Sequence, residues 1–96
     1  MTYLEEVKST LTKLKPELMS KYGVDTLGLF GSIVRDDFTD LSDIDIVVTF
    51  SKPIGSDFIT LAYELEEKLN RKVDLVSVNG IKPRYMEVIK PEILYV

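Results

Sequence analysis

The stretch Leu27-Gly28-Leu29-Phe30-Gly31-Ser32, a ten-residue gap, then Asp43-Ile44-Asp45-Ile46-Val47-Val48 decides how this chain reads. A Gly-Ser pair closes one apolar run, and two aspartates one residue apart open the next. Residues 44–50 are dominated by β-branched and aromatic side chains and carry the strongest strand signal in the sequence. Residues 24–30 read as a second strand, and Ser32 to Asp36 as the start of a short helix.

Outward from that centre the periodicity changes. Leu4, Val7, Leu11 and Leu14 recur at helical spacing behind a Thr2-x-x-Glu5 capping box, predicting helix over residues 2–22. Pro16 predicts a kink or break there, with a second short helix ending at Tyr22-Gly23. Phe58, Leu61, Ala62, Leu65 and Leu69 mark another helix, from residue 56 or 57 to about residue 70. Residues 72–78 read as a third strand, Asn79-Gly80 as a turn and residues 82–90 as a last helix stopped by Pro91. Ile93-Leu94-Tyr95-Val96 reads as a short terminal strand. The expected class is α+β (α/β-like), a small mixed sheet flanked by helices.

Composition narrows the chemistry. Ninety-six residues suit one domain, residues 1–96, with a single core. No apolar run is long enough to span a membrane and no signal peptide is evident, so a cytoplasmic location is expected. There is no cysteine and no histidine, which excludes thiol nucleophiles, zinc-thiolate sites and Ser-His-Asp catalysis. Carboxylates, hydroxyls, Lys, Arg and backbone amides remain, and a catalytic metal must accept hard oxygen ligands, magnesium or manganese first. The net charge of −4 disfavours a binder of long nucleic acid, which normally shows a basic face.

Each fragment of the opening stretch has an ordinary reading beside a functional one. Gly31-Ser32 fits turn chemistry; it also fits close backbone approach to a phosphate, with Ser32 as N-cap and free amides behind it. Asp43 and Asp45 could be a solvated strand start. On a strand, however, they share a face, and two carboxylates about 6 Å apart repel by roughly 3 kcal/mol at an effective dielectric near 20. A divalent cation offsets that repulsion. Asp74, between Val73 and Leu75, fits a solvated edge, or a third carboxylate if its strand lies beside residues 44–50. Three carboxylates suit two-metal phosphoryl transfer, with one helping to take the acceptor proton.

Gly31-Ser32, Asp43-Ile44-Asp45 and Asp74 together resemble the signature of the DNA polymerase β nucleotidyltransferase superfamily, and within it the minimal nucleotidyltransferases. The likeness runs nearly end to end, through Lys21-Tyr22-Gly23-Val24, Arg35, Lys82-Pro83-Arg84 and Tyr95-Val96. It implies ATP as donor with magnesium, two ions or manganese in its place, and the triphosphate over Gly31-Ser32. It further implies Asp43 and Asp45 as metal ligands and Asp74 acting with them on the attacking hydroxyl. Arg35 matches the arginine of a Gly-Ser-x-x-Arg pattern and would pair with phosphate. Relatives usually place Gly after that arginine, whereas this chain has Asp36-Asp37.

The resemblance also implies an acceptor: a tyrosine of a HEPN-domain toxin, modified with AMP by this chain as antitoxin. Neutralisation by binding alone, or transfer to a small-molecule hydroxyl or amine, are the alternatives. Tyr85, Met86, Ile89 and residues 93–96 fit either a partner surface or the core, with core favoured.

Overall fold

Thr2 opens the first helix as the capping pattern predicts: its Oγ1 accepts from the Glu5 N–H at 3.1 Å. The computed structural model describes residues 2–96. Helix α1 (Tyr3–Tyr22) runs without a break through Pro16, so the predicted division into two helices is wrong. Pro16 and Thr12 both face solvent. Water can therefore satisfy the Thr12 carbonyl that Pro16 cannot serve. Leu11 and Leu18 on the opposite side stay fully buried and hold the helix to the core. Gly23 closes it in the left-handed conformation, its N–H donating to the Leu18 and Met19 carbonyls.

Strands β1 (Val24–Phe30), β2 (Ile44–Phe50), β3 (Val73–Ser77) and β4 (Leu94–Tyr95) form one sheet in the order β3-β2-β1-β4. Both neighbours of β1 are antiparallel to it, whereas β2 and β3 are parallel. The parallel pair needs a crossover, supplied by α3 (Asp57–Leu69). The short α2 (Ser32–Arg35) follows β1, and α4 (Pro83–Ile89) with a 3-10 turn (Lys90–Glu92) leads into β4. This is the mixed sheet with flanking helices that the sequence predicts.

The two sheet faces have different fates. Leu27, Leu29, Ile44, Ile46, Val48 and Leu75 point one way and pack with Leu11, Leu18, Leu61 and Leu65 of α1 and α3. At roughly 1.5–3 kcal/mol per buried aliphatic side chain, this layer dominates the stability. The other face is only partly covered. Phe30 and Val47 pack there with Ile89 of α4, beside the half-buried Val76, Met86 and Ile93. Of the residues weighed between core and partner surface, Ile89 is core, Met86, Ile93, Leu94 and Val96 are half-buried, and Tyr85 and Tyr95 are exposed. Beyond this small cluster, the starts of β2 and β3 lie uncovered.

Candidate active site

That uncovered end of the second face gathers the candidate residues. The alternation that buries Ile44 and Ile46 turns Asp45 to the opposite side, with Asp43 just ahead of the strand. The parallel register sets Asp74 directly beside Asp45, and the antiparallel register sets Phe30, the last residue before Gly31, on its other flank. The adjacency of the second and third strands, only conditional in the sequence, is present.

Gly31, not Ser32, is the N-cap of α2, which corrects the expected cap. Its φ of 77° and ψ of −151° lie in a region open essentially to glycine. The side chain also has no room: a Cβ on Gly31 would run into the Asp45 carboxylate, with Cγ at 3.0 Å. Because Gly31 makes the turn, Ser32 is not the cap residue, and its hydroxyl makes no hydrogen bond among the described residues. The Val34 and Arg35 N–H groups both donate to the Gly31 carbonyl at 3.1 Å. The Ser32 and Ile33 amides have no hydrogen-bond partner among the described residues.

The ten-residue gap is built rather than slack. Asp36 ends α2 with φ 77°, a left-handed conformation that explains why glycine suits this position and that costs an aspartate about 1 kcal/mol. Residues 39–42 form a turn in which the Ser42 N–H donates to the Thr39 carbonyl and the Ser42 Oγ accepts from the Thr39 N–H, both at 3.0 Å. Arg71 then pins the loop. Its guanidinium lies 4.5 Å from the Tyr3 ring centre and 5.0 Å from that of Phe38, and it donates to the Asp40 carbonyl at 3.2 Å. The loop therefore delivers Asp43 to β2 at a fixed position.

One residue that the sequence did not single out enters the site. The Glu92 Oε1 accepts from the Gly31 N–H at 3.0 Å and from the Arg35 Nη1 at 3.4 Å. Arg35 also lies 3.8 Å from Asp37. No spacing rule links residue 92 to residue 31; only the return of β4 beside β1 brings them together.

The electrostatics are unbalanced. Asp43, Asp45 and Asp74 take part in no ion pair among the described residues. The Asp45 carboxyl is pushed up to about 6, first by burial, then by the charges of Asp74 and Asp43; Glu92 adds to the rise and Arg35 opposes it. Among the described residues, no three such side chains are drawn close enough to enclose a metal ion. Mutually repelling carboxylates are expected to stand apart in that way. Uncompensated hard oxygen donors on one face nonetheless fit a divalent cation such as magnesium or manganese.

A stability measurement follows from the Asp45 shift. The folded chain holds the Asp45 proton more tightly than the unfolded chain, whose carboxyl titrates near 3.8. The contribution of this group is thus greatest below about pH 4 and is lost as pH rises to about 6. Denaturant unfolding without divalent cations should show a loss of about 1–2 kcal/mol across that window after allowance for solvent screening, absent in Asp45→Asn.

The family described as polymerase beta, nucleotidyltransferase matches residues 12–95. The chain belongs to this family. It is a nucleotidyltransferase, and its relatives point the same way. Protein adenylyltransferase MntA of Thermococcus cleftensis is 40% identical over 97 residues, covering 100% of this chain and 98% of the relative. A solved structure described as a minimal nucleotidyltransferase superposes with a TM-score of 0.81 at 29% identity, over 98% of this chain and 95% of that one. A chain from the complex of tri-AMPylated Shewanella oneidensis HEPN toxin with MNT antitoxin shares the fold, with a TM-score of 0.66 at 21% identity over 93% of this chain and 70% of that one. In this nucleotidyltransferase Gly31-Ser32 and Asp43-Ile44-Asp45 meet where the end of β1 lies beside the start of β2.

A cleft of about 740 Å³ is lined in part by residues 40–43 and reaches the three carboxylates only through Asp43. The carboxylates themselves stand on an open surface, which a large acceptor can approach.

Proposed function

We propose that this nucleotidyltransferase transfers AMP from ATP to a tyrosine hydroxyl of a HEPN-domain toxin and so acts as its antitoxin. The observation that carries this reading is the convergence of Asp43, Asp45 and Asp74 on one open face beside the strained Gly31-Ser32 turn. The full-length likeness to a protein adenylyltransferase supports a protein acceptor. The toxin–antitoxin complex with the same fold supports the HEPN class.

Asp43 and Asp45, with Asp74, are the residues that would hold magnesium. Bound there, magnesium would supply positive charge to the triphosphate and to the developing negative charge of the transfer. The chain's own groups do the rest. Ser32 and the amides at the start of α2 hold phosphate oxygens, and Arg35 pairs with them. The toxin tyrosine oxygen forms a bond to the α-phosphorus while the bond from that phosphorus to the α,β-bridging oxygen breaks. Pyrophosphate leaves, and the phenolic proton passes toward Asp74.

The test is incubation of the chain with α-labelled ATP, magnesium and a HEPN toxin. Label is expected on toxin tyrosine, lost when that tyrosine becomes phenylalanine and lost with Asp43→Ala. Neutralisation that survives Asp43→Ala and Asp45→Ala without any label transfer would overturn the transfer mechanism in favour of binding alone.

A further inference from the structure

The Glu92 carboxylate lies among the groups that a donor phosphate would need. The backbone that carries it is anchored on both sides. Ile89 is buried before it, and after it β4 pairs with Gly28 and Leu29 while the Val96 N–H donates to the Leu27 carbonyl at 2.9 Å. Ile93 packs so closely over Gly28 that a Cβ there would meet its Cγ2 at 2.6 Å. The side chain alone reaches the Gly31 turn. There one oxygen is held by a backbone amide and a guanidinium, a donor pair equally suited to a phosphate oxygen.

Hydrogen bonding to Gly31 does not by itself call for a charge, since a glutamine carbonyl would accept equally well. The charge acts on Arg35 and on the neighbouring carboxylates. At Asp45, Arg35 opposes the charges of Asp74, Asp43 and Glu92, and Glu92 also pairs with that guanidinium. The Arg35 side chain is half exposed, so this pair is weak enough to exchange.

We propose that Glu92 is an intramolecular occupant of the donor cradle, holding the Gly31 amide and Arg35 in the nucleotide-free chain and yielding them when a triphosphate binds. The proposal rests on the reading of Gly31, Ser32 and Arg35 as the donor site. Glu92 then sets donor affinity without touching the reacting atoms.

The experiment is equilibrium binding of ATP with magnesium to the intact chain and to Glu92→Gln, which keeps an oxygen for the Gly31 N–H. Thermal unfolding of both confirms equal folding. Glu92→Gln is expected to bind roughly fivefold more tightly, the scale of one exposed ion pair released, with the gain shrinking as salt is added. In the wild-type chain, ATP should shift the Gly31 amide resonance. Binding that is unchanged or weaker in Glu92→Gln, or a Gly31 resonance that ignores bound ATP, overturns the proposal while leaving the donor site standing. If neither chain binds ATP, the donor-site reading itself fails and the proposal falls with it.

Discussion

Asp45→Asn should reduce AMP transfer by about a thousandfold or more while leaving the chain folded and, near pH 7, slightly more stable. The two effects have one cause. Asp45 sits half-buried between Phe30 and Asp74, and its carboxyl is raised to about 6, first by burial and then by Asp74 and Asp43. Keeping it ionised at neutral pH therefore costs stability in the absence of a cation, and the amide removes that cost, about 1–2 kcal/mol after screening. The amide is also a poorer ligand for a hard divalent ion and carries no charge to hold one, which is why transfer falls by orders of magnitude. Asp43→Asn separates the two: its carboxylate is exposed, so stability should barely move while transfer again collapses. Magnesium supplies a further reading of the same group, since it should stabilise the wild-type chain at pH 7 and leave Asp45→Asn nearly unaffected. The measurements are label transfer, thermal unfolding and magnesium titration. A strongly destabilised Asp45→Asn would show instead that the carboxylate holds the fold together, and the loss of transfer would then say nothing about the chemistry.

Much of this arrangement was legible in the sequence because it depends on local rules. Alternation along residues 44–50 put Asp43 and Asp45 on the face opposite Ile44 and Ile46, and the core bears that pattern out. Thr2, Gly23 and the flanking apolar runs set the element boundaries within a residue or two. What failed was of two kinds. Pro16 predicted a kink or a break with a second helix beyond it, and the division into two helices does not occur, because the outcome depends on which way the residue faces, and here it faces water. Ser32 was expected as cap because serine is a good one, yet the turn demands a backbone that only Gly31 supplies. Glu92 was invisible for a different reason: its contact with Gly31 spans 61 residues and exists only through the pairing of β4 with β1. The register that sets Asp74 beside Asp45 is likewise long-range, and the sequence could state it only as a condition.

Gly31→Ala is expected to be the most damaging small substitution in the chain. Two independent penalties meet at this position. A φ of 77° with ψ of −151° is essentially closed to residues with a Cβ, at about 1–3 kcal/mol. The added methyl would also lie on the Asp45 carboxylate, so the turn and the aspartate cannot both stay in place. Destabilisation by about 3 kcal/mol and loss of transfer beyond what unfolding explains should follow together. Gly28→Ala is the control. It too is overpacked, with Ile93 Cγ2 at 2.6 Å, but its backbone is ordinary and its neighbours are apolar. It should lose about 1–3 kcal/mol while each folded molecule keeps its transfer rate. A double-mutant cycle then divides the Gly31 penalty. Shortening Asp45 to alanine removes the steric partner, so Gly31→Ala should cost less in the Asp45→Ala background, with the backbone strain left over. Equal costs in the two backgrounds would mean that strain alone governs the turn and that the close approach of Asp45 to Gly31 has no energetic weight.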